Sequence, residues 1–395
     1  MIATTKNNES EAASVISFNE MNNKTINELA EHDIHRYGSI ELLQFEKHME
    51  QYFAREYNRW QGNREQPEKY GVSSFEGNIA RQDKHKESIE HYNKEFNIYQ
   101  SFLDKKYMVY TMAYYGATDY LPQVNNELTL EQAQIDKYNL IIQRAGIKDG
   151  DNILELGCGF GGFTAYLQEK FPNVHITGIN PSKVQAEYLN EKLAQRNAAF
   201  DIERFELIPK FFDDITEDDI ADNRFDIVIS IGVLEAVSNL DKLFRFIARV
   251  LKPGGKTFHH FIVSRDTIPQ FLKAEDTMMA DYFPGGHIWP YAEPMRHDKH
   301  LKPVSSWFVN GLNYWKTLDE WHKRFWNAID ELYPKYLTLE EVEDWNKYFT
   351  LCKTMFIPNQ GRSYGNGHYL YEKPLDRTQS KSKQEKGKPH LSEVK

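Results

Sequence analysis

Glu155 stands two residues ahead of Gly157, and Gly159, Gly161 and Gly162 follow within the next five positions. Before them Ile153, Leu154 and Leu156 form a short apolar run, and a helical pattern begins at once behind them. Strand, glycine turn and helix start together let a ligand approach the backbone without Cβ obstruction. Gly157-x-Gly159-x-x-Gly162 also satisfies the dinucleotide fingerprint, so NAD is one candidate ligand. That ligand wants an acid at the end of the next strand for its ribose hydroxyls, and here Ile179 is followed by Asn180, Pro181 and Ser182. A carboxylate at 155 is suited to organise the turn and to hold a positively charged ligand end. S-adenosylmethionine (SAM) has such an end, an ammonium beside a sulfonium, and no pyrophosphate to be repelled. The spacing favours SAM over NAD. The bland alternative for Glu155 is a partner for the helix dipole.

Few other residues carry obvious chemistry. His259 and His260 are adjacent on a strand pattern, so they point to opposite faces and make no chelating pair. No H-E-x-x-H appears, and no metal is expected. Cys158 and Cys352 are the two cysteines, too few for a disulfide framework, which makes a reducing compartment the default.

The elements that must position these residues alternate. Strands are expected at 152–156, 174–179, 204–208, 225–231 and 257–263, with a last one at His368 to Tyr371. Helices are expected near 162–170, 182–196 and 239–251, and Lys252-Pro253-Gly254-Gly255 reads as a turn. This is an α/β fold, a doubly wound and mostly parallel sheet. Thr129 with Gln132 reads as a capping box for a helix that Gly146 ends. Upstream, Leu42, Phe45, Met49, Tyr52, Phe53, Tyr57 and Trp60 share one helical face behind a Ser39 cap, and a second helix is expected from Glu87 to Asp104. Residues 61–85 read as a loop. Residues 264–345, with Pro284-Gly285-Gly286 and several Trp, read as an insertion over the sheet's carboxyl edge. The resulting layout is a disordered tail at 1–30, a helical region at 31–106, the main domain at 107–374 and a disordered tail at 375–395.

Composition narrows the partners. A net charge of -10 gives no electrostatic footprint for nucleic acid. No apolar run approaches a bilayer span and the N-terminus lacks a signal core, so a cytoplasmic protein is expected. Peripheral membrane contact needs just an apolar or basic patch and stays open, as does the oligomeric state. Aromatic content of 14% serves a core, or a pocket for a bulky apolar or cationic substrate.

The ordered motifs E-L-G-C-G-F-G-G, T-G-I-N-P-S-K-V-Q (177–185), S-I-G-V-L-E (230–235) and L-K-P-G-G (251–255) resemble class I SAM-dependent methyltransferases. H-Y-N (91–93), Y-T-M-A-Y-Y (110–115), L-T-L-E-Q-A-Q (128–134), Y-F-P-G-G (282–286) and G-L-N-Y-W-K-T-L-D-E-W (311–321) narrow the resemblance to the cyclopropane-fatty-acid-synthase-like group. That group includes mycolic-acid and fatty-acyl phospholipid methyltransferases and coclaurine-type N-methyltransferases. The resemblance runs over roughly residues 88–372.

It implies a Rossmann-like class I methyltransferase with N-terminal helices and an insertion covering the active site. It further implies a SAM site at Tyr110, Thr111, Gly157, Gly159 and Gly161, with Asn180, Pro181 and Gln185 on the ribose and adenine side. Phe212 and Asp213 would flank the adenine, one stacking and one accepting from its amino group; core packing is the other reading of Phe212. In the acyl-lipid members a bicarbonate serves as base, and the matching positions are Glu235, His260, Ile262 and Tyr314. A carboxylate ending a buried strand is hard to explain as packing, whereas His260 has a second reading as a satisfied core histidine.

Two positions depart from the group. Met112 stands where Cys is usual, and Ala236 where His usually follows the glutamate. Loss of that His argues against the amine-methylating mechanism, while W-F-V-N-G-L-N-Y-W-K-T-L-D-E-W (307–321) reads closer to that same branch. The expected reaction is methyl transfer to an apolar acceptor, an unsaturated acyl chain in lipid biosynthesis. N-methylation of a small amine is the alternative.

Overall fold

The computed structural model describes residues 23–62, 89, 91–194, 201, 203–265, 270–271 and 286–375. Calls for a loop at 61–85 and a disordered C-terminal tail fall almost wholly outside these residues, as do positions 1–22 of the N-terminal one. The chain enters through helices α1 (Asn23–Ala30), α2 (Ile40–Gly62) and α3 (Phe96–Phe102), then α4 (Leu130–Ala145). Strand β1 (Asn152–Leu156), helix α5 (Gly162–Lys170), β2 (His175–Ile179), α6 (Lys183–Ala194), β3 (Phe205–Ile208), β4 (Phe225–Ile231), α7 (Leu240–Val250) and β5 (Leu251–Ser264) follow. The last part holds β6 (Gln270–Phe271), β7 (His287–Pro290), β8 (Lys302–Asn310), α8 (Leu312–Asn327), α9 (Leu339–Met355) and β9 (Tyr364–Glu372).

The strands form one sheet in the order β3-β2-β1-β4-β5, continued at β5 by the short β7 and β6; β9 also pairs with β5, and β8 with β9. Strands β1 to β5 are mutually parallel, and β9 runs antiparallel from Lys256↔Glu372 to Ser264↔Tyr364. Successive residues of β1 serve opposite faces. Ile153 packs with α4 and α5 residues such as Ile141 and Phe163, while Leu154 packs with α7 residues such as Leu243 and Ile247. Both faces are therefore dry, as a parallel sheet between helices requires. The strand order reverses between β1 and β4, which opens a crevice at their carboxyl ends.

Local signals explain most boundaries. Thr129 Oγ accepts from the Gln132 amide, and Gly146 closes α4 at φ 74°. Ser39 Oγ accepts from the Leu42 amide at the start of α2. Several expectations are corrected. A helix occupies 23–30, inside the stretch read as a tail, and it buries Leu29 against the helical core. On α2 the inward stripe is Leu42, Met49 and Phe53, whereas Phe45 and Tyr52 face solvent, about 60–80° round the helix from the centre of that stripe. The helix expected to run to Asp104 is broken at 93–95, where the Asn93 side chain instead accepts from Ser182 Oγ and the Lys183 amide. Lys252 to Gly255 do not end the strand. They loop out between the pairs Phe225↔Leu251 and Ile227↔Lys256, and Lys252 Nζ meets Asp226 at 2.7 Å.

The segment read as an insertion contributes β8 to the sheet, and α8 and α9 to a second, aromatic core with Phe102, Trp321, Trp326, Trp345 and Phe349. Buried charges tie α2 to this core: Lys353 on α9 contacts Glu46 at 2.5 Å and Asp319 on α8 at 3.3 Å. No described helix is long and apolar enough to cross a membrane.

Candidate active site

The glycine turn leaves β1 at the reversal point. Gly157, Gly159 and Gly161 all take positive φ (70°, 57° and 75°). At Gly157 a Cβ would also lie 2.5 Å from Val233 Cγ2, so the position has neither the backbone nor the room for another residue. Asn180, at the end of β2, donates from Nδ2 to Gly159 O and to Gln185 Oε1, both at 3.0 Å. Its contribution in the folded chain is thus to hold the turn in shape.

A cavity of about 280 Å³ opens above this turn. Tyr110, Thr111, Glu155, Gly157, Gly159, Asn180, Pro181, Gln185 and Phe212 line it. Glu235, Ile262 and Tyr314 line it as well, with Ala236, Leu318, Tyr348, Cys352 and Met355. Three expected site residues are not in the lining among the described residues. Gly161 caps α5, and its amide donates to Cys158 O at 2.8 Å, inside the turn itself. Asp213 follows Phe212 in a 3-10 turn and meets Lys242 at 3.5 Å. His260 lies directly opposite His368 on β9, so the two imidazoles meet at 2.7 Å, and its other nitrogen faces Asn366 at 3.1 Å. It behaves as the satisfied core histidine. His259, on the opposite face, bonds Ser230 at 2.7 Å.

Both acids of the lining are shifted toward neutrality. Burial pushes Glu155 up to about 8, against a hydrogen bond from Thr164 Oγ1 at 2.7 Å and the Lys137 charge. Burial pushes Glu235 up to about 7, opposed by the Ile262 amide, which donates to its Oε1 at 2.8 Å. A carboxylate near 7 is poised to take a proton at neutral pH. Among the described lining residues there is no Lys, Arg or His. The described part of the wall is therefore acidic and aromatic, a surface that suits a cation.

A bicarbonate held by Glu235, His260, the Ile262 amide and Tyr314 does not fit this arrangement. The Ile262 amide is engaged by Glu235, and both His260 nitrogens face buried side chains. Tyr92, Tyr348 and Cys352 were not expected at the site; they reach it from a broken helix and from α9, and their helical spacing marks them just as buried positions.

Residues 80–362 match the mycolic acid cyclopropane synthetase family. The chain belongs to that family. Its members are SAM-dependent methyltransferases, and the sheet order and the glycine turn are consistent with that. The chain is 27% identical over 262 residues to (S)-coclaurine N-methyltransferase of Thalictrum flavum subsp. glaucum, covering 63% of this chain and 70% of that one. It is also 27% identical over 250 residues to the cyclopropane-fatty-acyl-phospholipid synthase of Escherichia coli (strain K12), covering 62% of this chain and 58% of the other. The matches thus span about half to seven tenths of the curated relatives' lengths. A crystal structure of coclaurine N-methyltransferase bound to N-methylheliamine and SAH shares the fold, with a TM-score of 0.70, 20% identity, and coverage of 84% of this chain and 99% of that one.

Proposed function

We propose that this family member transfers the methyl group of SAM to an unsaturated fatty acyl chain of a lipid, with Glu235 as the base. SAM supplies the activated methyl. Tyr110, Thr111, Glu155, the glycine turn, Asn180, Pro181, Gln185 and Phe212 would hold it, with the acceptor placed beside Glu235, Ile262 and Tyr314. The alkene's π electrons take up the methyl as its bond to sulfur breaks, leaving a cation on the acyl chain. Aromatic walls shield that cation, and Glu235 removes a proton from it, closing a ring or leaving a branched alkene. One observation carries this reading: among the described residues the lining is mainly apolar and aromatic, with Glu235 beside Ile262 and Tyr314 and Ala236 offering no imidazole.

A second reading, N-methylation of a small amine, is favoured by the relatives from Thalictrum and other plants and by the same acidic, aromatic wall. Labelled SAM offered with total lipid in one arm and an amine panel in the other separates the two. The lipid arm is expected to take the label, and label confined to water-soluble product would sink the lipid reading.

The protonation of Glu235 gives a further expected result. The carboxylate works as a base just when ionised, and burial raises it to about 7. Below that pH, log kcat/KM should climb with a slope of about +1 and level off above it. A profile flat from pH 5 to 8 would remove Glu235 from the base role.

A further inference from the structure

Lys137 on α4 is wholly buried. Its ammonium donates one hydrogen bond, to Thr111 Oγ1 at 2.8 Å, and lies 4.7 Å from the centre of the Tyr138 ring. An ammonium has three donors, and a buried charge is costly unless it is paired. The acids that act on it do so through space, and both are otherwise engaged. The Asp104 oxygens accept from the Tyr107 and Val109 amides at 2.6 and 2.8 Å, and Glu155 accepts from Thr164. Among the described residues no carboxylate lies within ion-pairing distance of Lys137. Burial lowers Lys137 to about 7, so an anion beside it would draw it into its charged form. The fold thus places a lysine with spare donors behind the cavity, and among the described residues the lining itself holds no cation.

Thr111 connects the two. Gln134, one turn before Lys137 on α4, donates to Thr111 O at 3.0 Å. The Thr111 methyl lies over Gly232, where a Cβ would come within 2.6 Å of Cγ2. Backbone, methyl and hydroxyl are each fixed from a different side. Lys137 can only donate, so Thr111 Oγ1 accepts, and the one hydroxyl proton of Thr111 must point elsewhere. Thr111 and Glu155 both line the cavity, and the Glu155 carboxylate acts through space on Lys137 behind Thr111. A hydroxyl donor backed by a cation, with a carboxylate nearby, matches an amino acid zwitterion.

We propose that Lys137, acting through Thr111, is the positioning residue for the α-carboxylate of SAM, while Glu155 takes the α-ammonium. The inference rests on the assignment of this cavity to SAM. Calorimetric titration with SAM and with decarboxylated SAM, which keeps the ammonium and sulfonium but lacks the carboxylate, tests it without any acceptor. Lys137→Met should weaken SAM about 10- to 100-fold, the worth of one charge-assisted contact, and leave decarboxylated SAM within about twofold. Thr111→Val keeps the lysine and should show the same selectivity, and it carries the test if Lys137→Met does not fold. Equal weakening of both ligands, or unchanged SAM affinity in both variants, overturns the proposal. A wild-type chain that binds neither ligand overturns the SAM assignment along with it, whereas wild-type binding with unselective variants overturns the Lys137 role alone.

Discussion

Glu235→Gln should lower kcat by about two to four orders of magnitude while leaving SAM affinity within about twofold. The substitution keeps the shape and the contact with the Ile262 amide, because the amide oxygen of Gln can still accept that bond. What it removes is the capacity to take a proton, and no imidazole in the described lining can replace it. Ala236, the neighbour, has no titratable group. Single-turnover kinetics with labelled SAM, read beside a binding isotherm, separate the two effects. A variant that keeps more than about a tenth of wild-type turnover would move the base elsewhere, since general-base contributions run to about 10²–10⁴. His260 would not be the substitute, because its ring is enclosed by His368 and Asn366, and burial holds it well below its usual range.

Gly157→Ala is expected to lower both stability and SAM affinity. Left-handed backbone costs a non-glycine residue about 1–2 kcal/mol. The added Cβ would also stand 2.5 Å from Val233 Cγ2, and overpacking of that kind costs about 1–3 kcal/mol. Movement of either segment displaces the turn or the Gly232–Glu235 stretch, so SAM binding should weaken at least tenfold along with the fall in Tm. Adding Val233→Ala separates the two costs. The double variant should recover the steric part of the lost stability and keep the backbone part, so its Tm should lie between those of Gly157→Ala and wild type. A double variant no more stable than Gly157→Ala would show that strain at φ 70° accounts for the whole effect.

What could be read in advance depended on how local its cause was. The glycine turn, the Thr129 cap, the Gly146 stop and the strands β1 to β4 each follow from a few neighbouring residues, and the structure has them in place. Strand β8 escaped notice because Pro303, Ser305 and Ser306 break its apolar alternation, and pairing along β9 sustains it. Phe45 and Tyr52 were misplaced because a run of large residues on α2 is wider than the stripe that α9 covers. His260 drew attention for its neighbours in sequence, while its partners in space arrive more than a hundred residues later. Lys137 is the opposite case. Its helix position looks like an ordinary solvated lysine, and the burial that gives it meaning comes from the packing of α4 against the segment at 107–111. Sites read from sequence are those whose residues announce themselves. The residues that support them are found by folding.

The composition of the cavity wall has a consequence for turnover. Glu155 and Glu235 are the two carboxylates in the described lining, and no cation shares it with them. Before transfer the methyl donor bears a sulfonium; afterwards it is an uncharged thioether. The wall thus discriminates fresh donor from spent by charge rather than by shape, gripping the first and loosening on the second. Discharge of the donor and release of the product become two faces of one event.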